Sequence, residues 1–135
     1  MSKDCKQREF VSSYNFSAPT PNDMESYHNM AITKLNYCAT LSKLGKHEKA
    51  VKHAQAAISL IQQVYGQSIE KQTNQWEDLK VALGIQSRAF FNLGVELEYL
   101  RLYDESISAY SEALKFSRVL QNDISFVEYL RKSIK

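Results

Sequence analysis

Apolar and small residues recur at helical spacing along most of this chain, and one pattern of them occurs twice. The first copy comprises Asn36, Cys38, Leu41, Leu44, Gly45, Ala50, Ala54 and Ala57. The second copy, 56 residues further on, comprises Asn92, Gly94, Leu97, Leu100, Arg101, Ser106, Tyr110 and Ala113. Each copy has the spacing of two helices joined by a tight turn, with small residues where the helices would approach closely. Repetition of such a unit predicts a stacked array of helical hairpins.

The periodicity and the helix-end signals predict five helices. We expect them at about 23–44, 47–65, 76–100, 104–119 and 123–134. Asn22 and Asp23 are favourable N-cap residues for the first helix, and Asp104 is expected to cap the fourth. Gly45 and Gly66 are expected to end the first and second helices. The polar segment 67–75 gives no clear preference for helix or loop.

The inner faces of the helices follow from the same spacing. The first two helices are predicted to bury Tyr27, Ala31, Leu35, Cys38, Leu41, Ala50, Ala54, Ala57, Ile58, Ile61 and Val64 or Tyr65. The third, which Trp76 opens, is predicted to bury Leu79, Leu83, Gln86, Phe90, Leu93 and Leu97, and the fourth Ile107, Tyr110, Ala113, Leu114 and Leu120. These residues form the candidate core of a helical domain spanning 22–135.

Two flanking segments fit the array less directly. Residues 1–21 contain serines and two prolines that break a long helix, but also Phe10, Val11, Tyr14 and Phe16. This N-terminal arm, partly disordered or packed in extended form, either folds back on its own domain or inserts into a partner or a neighbouring copy. The amphipathic helix at 123–134 falls where the last apolar face of an array needs a cap. The alternative for it is a docking surface.

Composition narrows the class of protein. At 135 residues the chain fits one domain, and its net charge of +2 favours neither nucleic acid nor a membrane surface. No apolar run approaches the length of a membrane span, and residues 1–6 lack the apolar core of a signal peptide. Two cysteines are too few for a disulfide framework, and Cys38 is expected to be a buried, inert thiol. A cytoplasmic protein is the expectation.

Signals for catalysis are lacking in the sequence. His28, His47 and His53 do not share a helical face at the spacing that a metal site needs, and no glycine-rich phosphate loop follows a strand. Glu96 and Glu98 are interpreted as surface carboxylates near a helix end. The basic stretch 43–52 is interpreted as a solvated face. We therefore expect a protein that is not an enzyme and uses no metal or cofactor.

The two copies resemble the tetratricopeptide repeat. The resemblance rests on Ala31, Leu44-Gly45-Lys46, Ala50 and Ala57 in the first copy and on Leu93-Gly94, Leu102-Tyr103-Asp104 and Ala113 in the second. It covers about 24–65 and 80–120 and implies an all-α array of two hairpins with a C-terminal capping helix. Three departures stand out: the offset exceeds the family's period of about 34 residues, Arg101 replaces the turn glycine, and neither hairpin ends in proline. Longer repeats of this kind are similar to those of kinesin light chains and Pins-type spindle-orientation scaffolds.

The resemblance also implies a binding surface, since the first helix of each hairpin lines the concave groove in this family. By that resemblance the groove residues are Leu35, Asn36, Ala39, Ser42, Lys43, Arg88, Phe91, Asn92, Val95 and Tyr99. An asparagine amide offers a donor and an acceptor to the backbone of an extended peptide. Lys43 and Arg88 would pair with carboxylates, while Phe91 and Tyr99 would serve as apolar anchors. The alternative is that the asparagines only tie helices together and that the basic residues are simply solvated.

The expected function is a protein–protein interaction module that holds a protein or peptide segment of a partner in its groove. The alternative is a structural subunit of a larger assembly, held through the N-terminal arm and the terminal helix. Analogy with long-repeat relatives makes a cytoskeletal or ciliary assembly the natural setting for that alternative. Self-association or incorporation into a multi-protein complex stays open.

Overall fold

Four helices pack as two successive hairpins. The computed structural model describes residues 24–71 and 76–121, with side chains at 24–65 and 77–121. The helices are α1 (Met24–Lys43), α2 (His47–Lys71), α3 (Trp76–Tyr99) and α4 (Tyr103–Gln121). α1 packs against α2 and α3 against α4, and α3 also contacts both helices of the first hairpin. The described part contains no strand, which confirms the predicted all-α fold of repeated helical hairpins.

The two interhelical turns share one backbone geometry. In the first, Lys46 N donates to Leu41 O (2.9 Å) and Gly45 N to Ser42 O (3.0 Å). In the second, Leu102 N donates to Leu97 O (2.9 Å), and Arg101 N donates to Glu98 O (3.0 Å). This pair of bonds defines the Schellman motif, whose C′ residue adopts the left-handed conformation. Gly45 does so with φ 75°, as predicted, and Arg101 does so with φ 63° although it is not glycine.

The left-handed Arg101 predicts an easy gain in stability. Replacing Arg101 with glycine removes the contact between Cβ and the carbonyl oxygen that disfavours this conformation, so the free energy of unfolding should rise by about 1 kcal/mol. The mirror change, Gly45→Ala, should lower it by a similar amount, since a Cβ at Gly45 would meet no other atom within 4 Å and only the backbone cost remains. Urea denaturation of both variants checks the pair; a loss of stability in Arg101→Gly would show that the Arg101 side chain makes a compensating contact.

The core lies along the hairpin interfaces. The larger cluster joins α1, α2 and α3, includes Ala109 of α4, and contains the fully buried Leu35, Ala54 and Ile61. A smaller cluster joins α3 to α4 through Leu79, Leu83, Phe116 and Val119. The alanines at the centre of α2 leave room for close approach of the neighbouring helices, while the larger side chains at either side fill the remaining space. The inner faces predicted for the first three helices are buried or half-buried wherever their side chains are described.

Two predictions about the ends of the helices are wrong. Gly66 does not end α2, which continues to Lys71. A glycine inside a helix costs only about 1 kcal/mol relative to alanine, and good helix formers follow it. Asp104 lies in the first turn of α4 and not at its N-cap, because Ser106 N already donates to Leu102 O.

The inner face of α4 was also predicted wrongly in part. Ile107 and Leu114 are 63% and 50% exposed, whereas Ala109 and Phe116 are buried. The sequence pattern allowed both faces because apolar residues occur around most of this helix. The helix turns Ala109, Ala113, Phe116 and Val119 towards α3, and Ile107 and Leu114 remain on its outer side.

Small residues set the distance between α3 and α4. A Cβ added at Gly94 would lie 2.7 Å from the Cδ1 and Cε1 atoms of Tyr110. The Tyr110 hydroxyl group donates to Glu98 Oε1 (2.8 Å), and its ring also contacts Phe91, with 5.5 Å between ring centroids. The Tyr110 ring therefore occupies the space that a side chain at position 94 would need. In the first hairpin the equivalent residues, 56 earlier, are Cys38 and Ala54, both buried.

The N-terminal arm at 1–21 and the predicted helix at 123–134 lie outside the described residues. The caps predicted at Asn22 and Asp23 also lie there. These remain predictions.

Candidate partner-binding surface

The residues predicted to bind a partner lie mostly on the exposed side of α1 and α3. Asn36, Ala39 and Lys43 of α1 are exposed. At the equivalent positions of α3, 56 residues later, Asn92 and Val95 are half-buried and Tyr99 is 62% exposed. We refer to these six residues as the α1/α3 surface. Leu35 is fully buried in the core and does not belong to it, and Ser42 is half-buried.

A contact between Arg88 and Asn36 shows that α1 and α3 are neighbours on this side. Arg88 Nη2 donates to Asn36 Oδ1 over 3.4 Å, and both side chains are exposed. At that length the hydrogen bond is weak and readily exchanged for another partner. The Asn36 amide NH₂ group and most of the Arg88 guanidinium donors therefore stay available on the surface.

Phe91 lies elsewhere. It is 54% exposed and lines a cleft between α3 and α4, with Tyr110, Ala113 and Leu114 on the facing helix. Arg88 borders the same cleft. Apart from Leu35 and Ser42, the predicted residues therefore divide into the α1/α3 surface and a cleft next to it.

A buried carboxylate connects the two hairpins. Glu96 of α3 is only 3% exposed, and its Oε1 lies 2.7 Å from Nδ1 of His47, the first residue of α2. A carboxylate only accepts, so the imidazole Nδ1 carries the hydrogen. The interpretation of Glu96 as a surface residue was wrong. The signal was available in the sequence, since Glu96 lies three residues after Leu93 on the inner stripe of α3.

The same histidine supports an aromatic residue of the surface. The rings of His47 and Tyr99 are stacked, with centroids 4.2 Å apart and planes inclined by 7°. Glu96 fixes the imidazole, and the imidazole supports one face of the Tyr99 ring. Tyr99 is thus both exposed and held in place, two properties that an anchor for a partner requires. The repeat pattern predicted Tyr99 as an anchor, but it did not indicate that His47 and Glu96 position the ring.

The Cys38 thiol is buried, as predicted. Burial raises the pKa of the thiol to about 11, and the nearby Glu96 carboxylate adds to the effect while Arg88 opposes it. The thiolate form, which is the reactive one, is therefore scarce at neutral pH. Cys38 acts as a small packing residue between helices.

Within 24–71 and 76–121, no helix is long and apolar enough to cross a membrane. Among these same residues, no group of three or more histidine, cysteine, aspartate or glutamate side chains could hold a metal ion.

Comparison with curated proteins and with solved structures gave no match. Residues 87–119 match the family model described as tetratricopeptide repeat. The matched range covers the second half of α3, the left-handed turn at Arg101 and most of α4. The match supports the resemblance over these residues, and the described part of the chain is an all-α array of helical hairpins similar to that repeat.

Proposed function

We propose that this array is a non-catalytic protein–protein interaction module that binds an extended or helical segment of a partner on the α1/α3 surface. The observation that carries the proposal is the exposed Tyr99 ring supported by His47 and, through it, by the buried Glu96. Binding hot spots are enriched in tyrosine, and a side chain that is ordered before binding loses little conformational entropy when the partner docks. Tyr99 meets both conditions.

The asparagines supply the polar part of the proposed site. Asn36 and Asn92 occupy equivalent places on α1 and α3, so their amides would lie at intervals along a bound segment. Each amide has one acceptor and two donor hydrogens, which suits the alternating N–H and C=O groups of an extended backbone. Loss of an amide would leave a desolvated peptide group of the docked segment without a partner, which costs about 1–3 kcal/mol, so these bonds matter for affinity as well as for register.

The charged residues of the region favour an acidic partner. Lys43 is exposed on α1, and Arg88 is held to α1 only by the weak bond to Asn36. Both would pair with carboxylates on the bound segment. Because exposed ion pairs are worth about 0–1 kcal/mol, their main effect would be on the rate of association and on its salt dependence.

The finer assignment, to the long-repeat type similar to kinesin light chains and Pins-type scaffolds, belongs to the same proposal. It is supported by the 56-residue offset and by asparagine at the equivalent position in both copies. A cytoskeletal or ciliary setting would follow from that type by analogy only.

The experiment is an affinity pull-down with the full chain, read by mass spectrometry and compared across matched variants. Asn36→Ala combined with Asn92→Ala should abolish capture of the partner, and Tyr99→Ala alone should reduce it at least tenfold, about the 1.4 kcal/mol or more expected of a hot spot. Tyr37→Ala is the matched control. Tyr37 is 57% exposed and stacks on His53 with 5.3 Å between centroids, so it offers the same pair of ring types outside the α1/α3 surface.

Circular dichroism of each variant should show unchanged helical content. If the double asparagine variant and Tyr99→Ala retain the whole partner set, the α1/α3 surface is not the binding site. Binding would then fall to other parts of the chain, as the structural-subunit alternative requires.

A further inference from the structure

The cleft between α3 and α4 is lined largely by apolar side chains. Its volume is about 540 Å³, and we call it the end cleft, lined chiefly by Ser87, Phe91, Tyr110, Ala113, Leu114 and Ser117. Phe91 and Leu114 are each at least half exposed there. Its two serine hydroxyl groups are already satisfied, because Ser87 Oγ donates to Ala113 O (2.9 Å) and lies 2.7 Å from Ser117 Oγ. An occupant therefore needs to bring an apolar face and no polar partner for these groups.

The internal repeat shows what kind of element occupies this position. The residues 56 earlier than those lining the end cleft are Ala31, Leu35, Ala54, Ala57, Ile58 and Ile61. All six are buried in the first hairpin: Leu35 is 0% exposed where Phe91 is 54%, and Ile58 is 8% exposed where Leu114 is 50%.

The element that covers those residues is α3. They share one core cluster with Ala82, Ile85 and Ala89 of that helix, and Gln86 Nε2 reaches Ile58 O over 3.5 Å. The end cleft is therefore the same stacking face on the second hairpin, and no helix among the described residues covers it. A further amphipathic helix is the element that fits.

We propose that residues 122–135 of this chain pack into the end cleft. Val127, Leu130 and Ile134 repeat the 3,4 spacing of Ala82, Ile85 and Ala89. Three apolar residues at that spacing form one stripe on a helix. The segment thus carries the same pattern that covers the first hairpin, with larger side chains that suit an open cleft.

The segment lies close enough to the end cleft along the chain to reach it through a short connection. It follows α4, which ends at Gln121, and Ser117 of the cleft lies one turn before that end. A helix over 123–134 would be about 18 Å long at 1.5 Å per residue. Tyr110 and Ser117 are seven residues apart on α4, or about 10 Å, so a helix folded back along α4 spans the cleft. Short connections of this kind join antiparallel neighbours in helical bundles.

This inference goes beyond the proposed function and does not depend on it, because the end cleft and the α1/α3 surface are different places. Occupation of the cleft would cover the stacking face of the second hairpin and leave Tyr99 exposed for a partner. Partner capture is measured by the pull-down and capping by the stability of the chain, so failure of one proposal is distinguishable from failure of the other.

The test is a double-mutant cycle on the full chain, measured by urea denaturation. Leu114→Ala and Leu130→Ala should each raise the equilibrium constant of unfolding about tenfold or more. In the double variant the increase should be much smaller than the product of the two single increases, because either change alone already removes the contact. Ile107→Ala is the matched control, since Ile107 is 63% exposed on α4 and does not line the end cleft. Ile107→Ala should change the equilibrium constant of unfolding only slightly. In the variant that combines it with Leu130→Ala, the change should equal the product of the two single changes.

A second measurement does not rely on stability. In a Cys5→Ser background, cysteines introduced at Leu114 and Leu130 should form an intramolecular disulfide under mild oxidation, whereas the pair at Ile107 and Leu130 should not. Independent effects of Leu114→Ala and Leu130→Ala, with no cross-link, would overturn the proposal and leave the cleft to a partner protein. A cross-link found only between molecules, with a doubled mass by light scattering, would equally overturn it and assign the cleft to a second copy of the chain.

Discussion

Replacing His47 with alanine should lower the free energy of unfolding by about 3 kcal/mol, the largest effect that we expect from a single change outside the apolar core. Glu96 would keep its buried position, 3% exposed, but would lose the hydrogen-bond donor 2.7 Å away. An uncompensated buried charge costs much more than the intact pair contributes, because its desolvation is no longer offset. Since His47 is itself 20% exposed, water can enter the vacated space, and we expect the lower end of the range for buried pairs.

Urea denaturation measures this change, and Glu96→Gln is the matched control. Glutamine has nearly the same shape and keeps an oxygen for the His47 Nδ1 hydrogen, so the loss should be below about 1 kcal/mol. Equal losses in His47→Ala and Glu96→Gln would mean that packing, and not the uncompensated carboxylate, accounts for the effect. His47→Ala should also release the Tyr99 ring, which would weaken the anchor of the proposed surface even where the fold persists.

The second expected result concerns two glycines of α3 that should respond to the same substitution in opposite directions. Gly84→Ala should raise the free energy of unfolding by about 1 kcal/mol, because an alanine stabilises a helix interior and its Cβ would meet no atom of the described residues within 4 Å. Gly94→Ala gains the same helix propensity but places a Cβ 2.7 Å from two ring atoms of Tyr110. Overpacking of this kind costs about 1–3 kcal/mol, so the net change should be a loss.

Denaturation of both variants under one set of conditions separates the two terms, since the propensity gain is common to them and the contact with Tyr110 is not. A gain in stability for Gly94→Ala equal to that of Gly84→Ala would show that the Tyr110 ring moves aside at no cost. The hydrogen bond from the Tyr110 hydroxyl group to Glu98 argues against free movement.

The sequence predicted those parts of the fold that depend on local periodicity. The inner stripes of α1, α2 and α3 and the left-handed Gly45 follow from spacing and from the steric freedom of glycine, both of which are visible in a single segment. The inner face of α4 was harder to assign, because Ile107 and Leu114 present a second apolar stripe. Only the position of α3 decides which stripe is buried. Gly66 was misjudged because a helix continues past a glycine when the following residues favour it.

The candidate site was predictable in its residue types but not in its support. Asn36, Asn92 and Tyr99 were found through the repeat and the resemblance. The contact between His47 and Glu96 joins residues 49 positions apart in different hairpins, so no local pattern indicates it. The exposure of Phe91 could not be foreseen either, because its equivalent, Leu35, is buried by a helix that has no counterpart among the described residues after α4.

The Gly94–Tyr110 contact also constrains the order in which this sequence can change. The first hairpin carries a larger residue, Cys38, where the second has Gly94, and a smaller one, Ala54, where the second has Tyr110. A lineage that exchanged the second arrangement for the first would have to reduce the side chain at position 110 before enlarging the one at position 94. The opposite order passes through an intermediate in which the two side chains overlap. Descendants of this chain should therefore show correlated sizes at these two positions.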